Sequence, residues 1–164
     1  MTVTAEERAA RIERYARGPA LLSEAVGRVP EEARKWKPAP DKWSVHEIVC
    51  HCADSETNGA GRIRYVMAEK DPTVVGYDQD NWARAFDYHA LPLETALRCV
   101  EGVRAHTAAL LRTVPSGYWS KAGRHTEMGP YGAEDWLRVY AEHLEKHTAQ
   151  VERTHAAWKA EHGG

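Results

Sequence analysis

The chain has 164 residues, of which 43% are hydrophobic and 28% are charged. This length suits one domain over residues 1–164, and the balance excludes a disordered chain, a collagen and a coiled-coil rod. The net charge of −2 lacks the excess of cations that holds nucleic-acid phosphates, so we expect no nucleic-acid partner.

The sequence also argues against a membrane or an oxidising compartment. No apolar run reaches the roughly 20 residues that cross a bilayer, and the first residues lack the apolar segment of a secretory signal. The three cysteines are an odd number, which favours reduced thiols over a disulfide framework. We therefore expect a cytoplasmic protein without a membrane partner.

Two capping boxes predict where the first two long helices begin. In a capping box, Ser or Thr precedes the helix and Glu follows three residues later, so that each side chain binds a free backbone N–H. Thr4 and Ser44 both open such a pattern, which predicts helices over residues 4–28 and 44–70. Gly18-Pro19 should bend or break the first helix near its middle, because proline removes a backbone donor.

Two further long helices are predicted by apolar residues that recur every three or four positions. The third begins at Pro92 and ends before Pro115, and the fourth covers residues 133–161. A short helix is expected over residues 81–88. Residues 118–132, which contain several glycines and prolines, are expected to form a loop.

Four amphipathic helices with no convincing strand predict an all-α protein, a four-helix bundle. The connections after the second and third helices exceed the usual short turns of such bundles. Long loops of this kind often line a functional site.

Nine histidines are many for a chain of this length, and two of them lie on the core side of the fourth helix. His147 lies on the helix's apolar seam, and His143 lies one turn earlier, about 40° around the helix. This spacing lets two helical histidines share one metal ion. The seam consists of Leu137, Tyr140, Leu144, His147, Val151, Thr154 and Trp158. The alternative is an ordinary pair of surface or singly bonded core histidines.

A polar row on the second helix offers a third ligand. Its members lie within about 60° of His51 around the helix, beside the apolar stripe: Glu47, His51, Asp54, Ser55, Asn58 and Arg62. The row is either a solvated face or the lining of a site. Since His46, Thr57 and Arg64 already supply a solvent face, we favour the site lining, with His51 as the ligand. Three imidazoles leave a position open, as in catalytic rather than structural sites.

Several motifs in this order resemble the DinB/YfiT-like superfamily, most closely its YfiT-type branch. They are Trp43-Ser44-Val45, His51, Asp54-Ser55 and His143-x-x-x-His147. Further matching positions are Asn58, Arg62, Pro72, Tyr77-Asp78, Trp82-Ala83, Asp87, His125, Gly129 and Ala149-Gln150. The resemblance covers nearly all the chain from Trp43 onward and is weaker through the first helix. Cys50 and Glu56 depart from the family pattern, and neither is a ligand position.

The resemblance implies a four-helix bundle, often a homodimer, that holds a metal ion with one histidine of the second helix and two of the last. By motif position these are His51, His143 and His147, the same three that the helical geometry selects. We therefore expect one divalent ion per chain, with zinc and nickel most usual in the family. Members of the branch are described as metal-dependent hydrolases. Related members are S-transferases or isomerases that use low-molecular-weight thiols such as bacillithiol, mycothiol or glutathione.

The expected function is hydrolysis of a small-molecule substrate by metal-bound water. Glu47 and Asp54 are the candidate catalytic residues, for ligand orientation or proton transfer. Asn58 and Arg62 are candidates for binding an anionic group of the substrate, and His125 could approach the site from the last long loop.

Two other functions stay open. A metal-held thiolate is a nucleophile, so a low-molecular-weight thiol could serve as cosubstrate of an S-transferase. The chain could also be a non-catalytic metal-binding stress protein. The remaining histidines are expected mainly on the surface or in loops: His46, His89, His106, His155 and His162.

Overall fold

Amphipathic helices bury their apolar stripes by packing side by side, and this determines the architecture. In the computed structural model, which describes residues 3–163, four long helices form a bundle with a short helix and a small sheet at their connections. The predicted class, an all-α four-helix bundle with long connections after its second and third helices, is confirmed. The helices are α1 Ala5–Gly27, α2 Val45–Ala68, α3 Gln79–Ala85, α4 Leu93–Thr113 and α5 Ala133–His162.

Both predicted capping boxes are present and set the starts of α1 and α2. The Thr4 hydroxyl accepts from the Glu7 N–H at 3.1 Å, and the Glu7 carboxylate accepts from the Thr4 N–H at 2.8 Å. Ser44 and Glu47 repeat this arrangement, with distances of 3.1 Å and 2.7 Å. These contacts satisfy backbone donors that the first turn of a helix leaves free.

The sequence predicts a bend or a break of the first helix at Gly18-Pro19, and the structure excludes the break. α1 runs from Ala5 to Gly27 with Pro19 inside it. Proline costs the helix one hydrogen bond, but buried residues before and after it, such as Tyr15 and Leu22, hold both halves against the bundle.

The expectation of loop without strands over residues 118–132 is wrong. The structure forms a three-stranded sheet in the order β1-β2-β3, with β1 Thr73–Val74, β2 Ala122–His125 and β3 Gly129–Gly132. β1 is parallel to β2, and β2 is antiparallel to β3. The sheet joins the two long connections of the bundle. Strands of two to four residues are too short to show an alternating pattern.

Short 3₁₀ turns complete the connections: Glu31–Ala33, Tyr88–Ala90 and Ser116–Ser120. The predicted helix over residues 81–88 is the seven-residue α3 followed by the second of these turns. Pro92 is the residue before α4 rather than its first residue.

The core consists of two apolar clusters along the bundle axis. One contains Leu22, Ile48, Val100 and Leu144 among its members. The other contains Tyr15, Ile63, Leu111, Trp136 and Leu137. Each long helix also contributes one residue that belongs to neither apolar cluster: Gly18, Glu56, Arg104 and His143. His143, a predicted metal ligand, is one of these residues.

Within residues 3–163, no helix is both long and apolar enough to cross a membrane.

Candidate metal centre

Three histidines from two helices meet inside the bundle. His51 lies on α2, and His143 and His147 lie one turn apart on α5. One potential ligand atom from each ring lies within 4.8 Å of the others. The ring centroids of His147 are 4.8 Å from His51 and 4.6 Å from His143. The structure thus brings together the three residues that the sequence predicts as metal ligands.

Two of the rings are oriented by hydrogen bonds on their outer nitrogens. His143 Nδ1 is 2.8 Å from the Glu56 Oε1 carboxylate oxygen, and His147 Nδ1 is 2.9 Å from the Gln150 Oε1. Because both partners are acceptors, each Nδ1 donates, and the neutral ring keeps the lone pair on Nε2. In both rings Nε2 is therefore the nitrogen that carries the lone pair.

His51 is almost completely buried, with 1% of its surface exposed. Its ring lies 4.7 Å from the ring of Trp43. Its Nδ1 is buried and has no hydrogen-bond partner among the described residues. Buried polar atoms without partners are costly and uncommon. This nitrogen is an orphaned polar atom beside two other imidazoles.

The electrostatics of the cluster keep two of its rings, His51 and His147, neutral near pH 7. Burial, together with the neighbouring rings of His147 and His143, lowers the pKa of His51 to about 2. Burial, with His143 beside it, lowers the pKa of His147 to about 4. A histidine binds a metal through an unprotonated nitrogen. Both rings are therefore in the form that a ligand requires.

This donor set fits a divalent transition metal. Three neutral imidazoles suit zinc, nickel, copper and iron, whereas calcium and magnesium prefer oxygen ligands.

A buried ion pair that sequence reasoning missed lies directly behind His143. Glu56 and Arg104 are both fully buried, and the guanidinium binds both carboxylate oxygens, Nε to Oε2 at 2.9 Å and Nη2 to Oε1 at 2.7 Å. Burial acts to raise the pKa of Glu56, but the charge of Arg104 and the hydrogen bond from His143 hold it below its usual value. Although Glu56 is not itself a predicted ligand, it contacts one.

A signal for this pair was present in the sequence. Glu56 lies four residues after Cys52 on the apolar stripe of α2, and Arg104 lies four residues after Val100 on the stripe of α4. Charged residues of opposite sign within two apolar stripes predict a buried ion pair, because an isolated charge there would be very unfavourable.

Asp54 and Ser55 lie one turn after His51 on α2. Asp54 Oδ2 accepts from the Tyr88 hydroxyl at 2.5 Å. The Ser55 hydroxyl lies 3.2 Å from His143 Nε2, the nitrogen that faces the cluster. These two polar groups thus lie on the side of α2 that carries His51.

Glu47 has contacts of a different kind. Its carboxylate completes the capping box with Ser44 and accepts from Lys37 Nζ at 2.9 Å. Burial acts to raise the pKa of Glu47, but these donors hold it below its usual value. The structure gives Glu47 a capping role, and its catalytic role stays a prediction.

Asn58, Arg62 and His125 are not in contact with the three-histidine cluster. Asn58 donates to the Asp54 carbonyl oxygen at 2.8 Å. Arg62 donates to the Val75 carbonyl oxygen at 2.5 Å. His125 is buried at the end of β2, and burial, with the nearby charge of Arg62, lowers its pKa. Their roles in substrate binding stay predictions.

One of the remaining histidines differs from expectation. His46 is 5% exposed, and its Nε2 is 2.8 Å from the Leu91 carbonyl oxygen, so the expected surface position is wrong. The connection after α3 covers it. His106 and His162 are exposed, while His89 and His155 are partly buried.

The cysteines of α2 are unpaired and buried. Burial raises the pKa of Cys50 to about 12 and raises that of Cys52 well above its usual value. Both are neutral thiols at pH 7, and the neutral thiol is a poor nucleophile.

Comparisons with known proteins agree with this fold. A family model described as the DinB superfamily matches residues 14–151. A Geobacillus kaustophilus protein named "Putative metal-dependent hydrolase" is 31% identical over 139 residues, which are 81% of this chain and 75% of that protein. An Oceanobacillus iheyensis protein with the same descriptive name is 28% identical over 133 residues, 81% of this chain and 77% of that protein.

A solved structure has the same architecture. It is YfiT from Bacillus subtilis, described as "a probable metal-dependent hydrolase with an unusual four-helix bundle topology". It matches with a TM-score of 0.87 and 23% identity, over 93% of this chain and 88% of that one. At this identity the likeness establishes the fold.

Proposed function

This chain belongs to the DinB superfamily, and from that premise we propose that it is a metal-dependent hydrolase of small molecules. In this proposal one divalent ion, zinc or nickel, is held by His51, His143 and His147. The names of the Geobacillus and Oceanobacillus relatives support the metal dependence and the reaction class.

The observation that carries the proposal is the convergence of three imidazoles. One potential ligand atom of each ring lies within 4.8 Å of the others. Apolar side chains would stabilise the core better than a cluster of imidazoles, which are polar groups that must leave water. Binding of a cation explains the convergence.

The chemistry follows from the donor set and its neighbours. A divalent ion with three imidazole ligands and an open position acts as a Lewis acid and lowers the pKa of water to about 7. Asp54, held by the Tyr88 hydroxyl, is the carboxylate that would accept or return a proton. The Ser55 hydroxyl beside His143 Nε2 can bind a polar group of the substrate. We assign Arg62 and Asn58 to an anionic group farther along α2.

Metal analysis tests the proposal. We expect purified wild type, after saturation with zinc and removal of excess, to hold one ion per chain, and His147→Ala to hold much less than one. Two imidazoles bind a divalent ion more weakly than three. His106→Ala, which removes an exposed histidine of α4, is the matched control and should bind like wild type. Equal metal content in wild type and His147→Ala would overturn the proposed site.

A second experiment separates hydrolysis from transfer to a thiol. The zinc-loaded protein is incubated with activated esters and with alkylating electrophiles, each with and without bacillithiol or glutathione. Hydrolysis proceeds without added thiol. Turnover that occurs only with added thiol would identify an S-transferase instead of a hydrolase. Cys50 and Cys52, which are buried neutral thiols, could not take the place of the added thiol.

A further inference from the structure

The ion pair between Glu56 and Arg104 is more than a packing element of the core, because one of its carboxylate oxygens has two partners. Oε1 accepts from Arg104 Nη2 at 2.7 Å and from His143 Nδ1 at 2.8 Å, while Oε2 accepts from Arg104 Nε. Oε1 of Glu56 therefore binds His143, a ring that the proposed function assigns to the metal.

We propose that Glu56 is a positioning residue: clamped by Arg104, it keeps His143 in the tautomer with hydrogen on Nδ1 and aims Nε2 at the cluster. This inference rests on the proposed function, in which His143 is a metal ligand. The orientation of the ring, however, can be measured in the metal-free protein.

The geometry determines the tautomer. An ionised carboxylate only accepts hydrogen bonds, so His143 Nδ1 must be the donor. In the neutral ring Nε2 then carries the lone pair, to which the Ser55 hydroxyl at 3.2 Å can donate. Metal-binding histidines commonly donate their second nitrogen to a carboxylate or carbonyl, which fixes the ring and makes it a stronger ligand.

Arg104 holds the carboxylate in place from several sides. Besides Glu56, its guanidinium donates to the Tyr15 carbonyl oxygen at 2.5 Å and to the Tyr140 carbonyl oxygen at 2.8 Å. It also lies over the Tyr15 ring, 4.0 Å from the centroid. Arg104 therefore connects α4 to α1, α2 and α5. Gly18 leaves room for this, because a Cβ there would lie 2.7 Å from Arg104 Nη1.

Stability alone is a weak reason for this pair. Replacing a buried ion pair by apolar residues of similar volume is often neutral or stabilising. The two α5 histidines also differ in their hydrogen-bond acceptors. His147 donates to the neutral Gln150 amide, whereas His143 donates to the charged Glu56 carboxylate. A charged acceptor forms the stronger hydrogen bond. The ion pair therefore restrains the His143 ring more strongly than Gln150 restrains the His147 ring.

Two double variants separate positioning from packing. Glu56→Met with Arg104→Met removes the ion pair and leaves His143 Nδ1 without an acceptor. Glu56→Gln with Arg104→Met also removes the ion pair but keeps an amide oxygen for Nδ1. A purely structural role predicts the same zinc affinity for both. A positioning role predicts that the first loses affinity by about 10- to 100-fold and that the second recovers most of it.

The matched control is an ion pair between α1 and α5 that has no hydrogen bond to the rings. Arg14 Nε donates to Glu145 Oε1 at 2.7 Å, and Glu145 lies between the two α5 histidines in sequence. Arg14→Met with Glu145→Met should leave zinc affinity as in wild type. Zinc affinity is measured by competition with a chromophoric chelator, and thermal unfolding confirms that each variant is folded.

Nitrogen chemical shifts of His143 in the metal-free proteins give the second readout. We expect hydrogen on Nδ1 in wild type and in the Gln variant, and a shift toward hydrogen on Nε2 in the Met variant. Hydrogen on Nε2 in wild type, or equal zinc affinity in the two double variants, would overturn the inference. If wild type binds no zinc, the proposed function fails, and the nitrogen shifts alone decide whether Glu56 sets the ring.

Discussion

Burial governs the chemistry of the individual histidines. His51 and His147 are held in a site where a protonated ring would lose its hydration and face other imidazoles, which is why their pKa values are lowered to about 2 and about 4. His106, exposed on α4, has no such surroundings. The same side chain is thus a ready ligand in one place and an ordinary surface group in another.

These shifts predict that the metal-free protein loses stability in mild acid. Unfolded histidine binds a proton near pH 6.5, whereas folded His147 does so only near pH 4 and His51 near pH 2. Below pH 6.5 the unfolded state binds more protons, so the free energy of unfolding falls as pH falls. The fall approaches about 1.4 kcal/mol per pH unit for each ring.

Urea unfolding between pH 7.5 and 5.5 measures this dependence, above the range in which carboxylates titrate. We expect His147→Gln to show a smaller fall than wild type and His106→Gln to show the same fall. Equal pH dependence in wild type and His147→Gln would contradict the assignment.

Among the elements, α2 does the most to build the site. Its capping box sets its first turn, its stripe packs in the core, and its polar row carries His51, Asp54 and Ser55. It approaches α5 closely at Gly59, whose carbonyl oxygen accepts from Trp136 Nε1 at 2.8 Å. The Tyr140 hydroxyl, from α5, donates to the Ser55 carbonyl oxygen at 3.2 Å. The two helices that carry the histidines are thus in direct contact beside them.

Two glycines of α2 predict opposite effects of the same substitution. In Gly59→Ala the new Cβ would lie 2.5 Å from ring atoms of Tyr140, so the helices must separate, at a cost of about 1–3 kcal/mol. In Gly61→Ala the Cβ meets nothing within 4 Å, and helix propensity should stabilise the protein by up to about 1 kcal/mol. Chemical denaturation compares the two variants with wild type. Similar stability changes in both would contradict the close approach at Gly59.

At the scale of the whole molecule, the histidine cluster and the ion pair join all four long helices at one level of the bundle. α2 and α5 supply the rings, while α1 and α4 hold Glu56 through Arg104. The cluster therefore exists only when the bundle is assembled. A metal that binds it binds the folded state.

Such linkage predicts that zinc stabilises the protein and that chelation reverses the effect. At free zinc 100-fold above its dissociation constant, the folded state should gain about 2.7 kcal/mol. Calorimetry of the melting temperature with zinc, with zinc plus excess EDTA, and with calcium measures the gain. Calcium, which prefers oxygen ligands, is the control. If zinc raises the melting temperature of His147→Ala as much as it raises that of wild type, the result contradicts binding at the cluster.

Much of this protein could be predicted locally. The capping boxes at Thr4 and Ser44, the apolar stripes and the four helices depend on residues within a turn or two of each other, so the sequence alone determined them. The approach of His143 and His147 followed from the same helical geometry. His51 was selected because it lies at the edge of a stripe.

The rest depended on contacts between residues far apart in the chain. The strands are too short to show a pattern and form because β1 and β2 meet across the folded bundle. His46 is buried by a distant connection, and the pairing of Glu56 with Arg104 and His143 requires three helices at a defined height. The sequence therefore determined which helix faces are polar or apolar. Only the tertiary structure decided which polar groups meet, because burial and distance are set by the packing of the whole bundle.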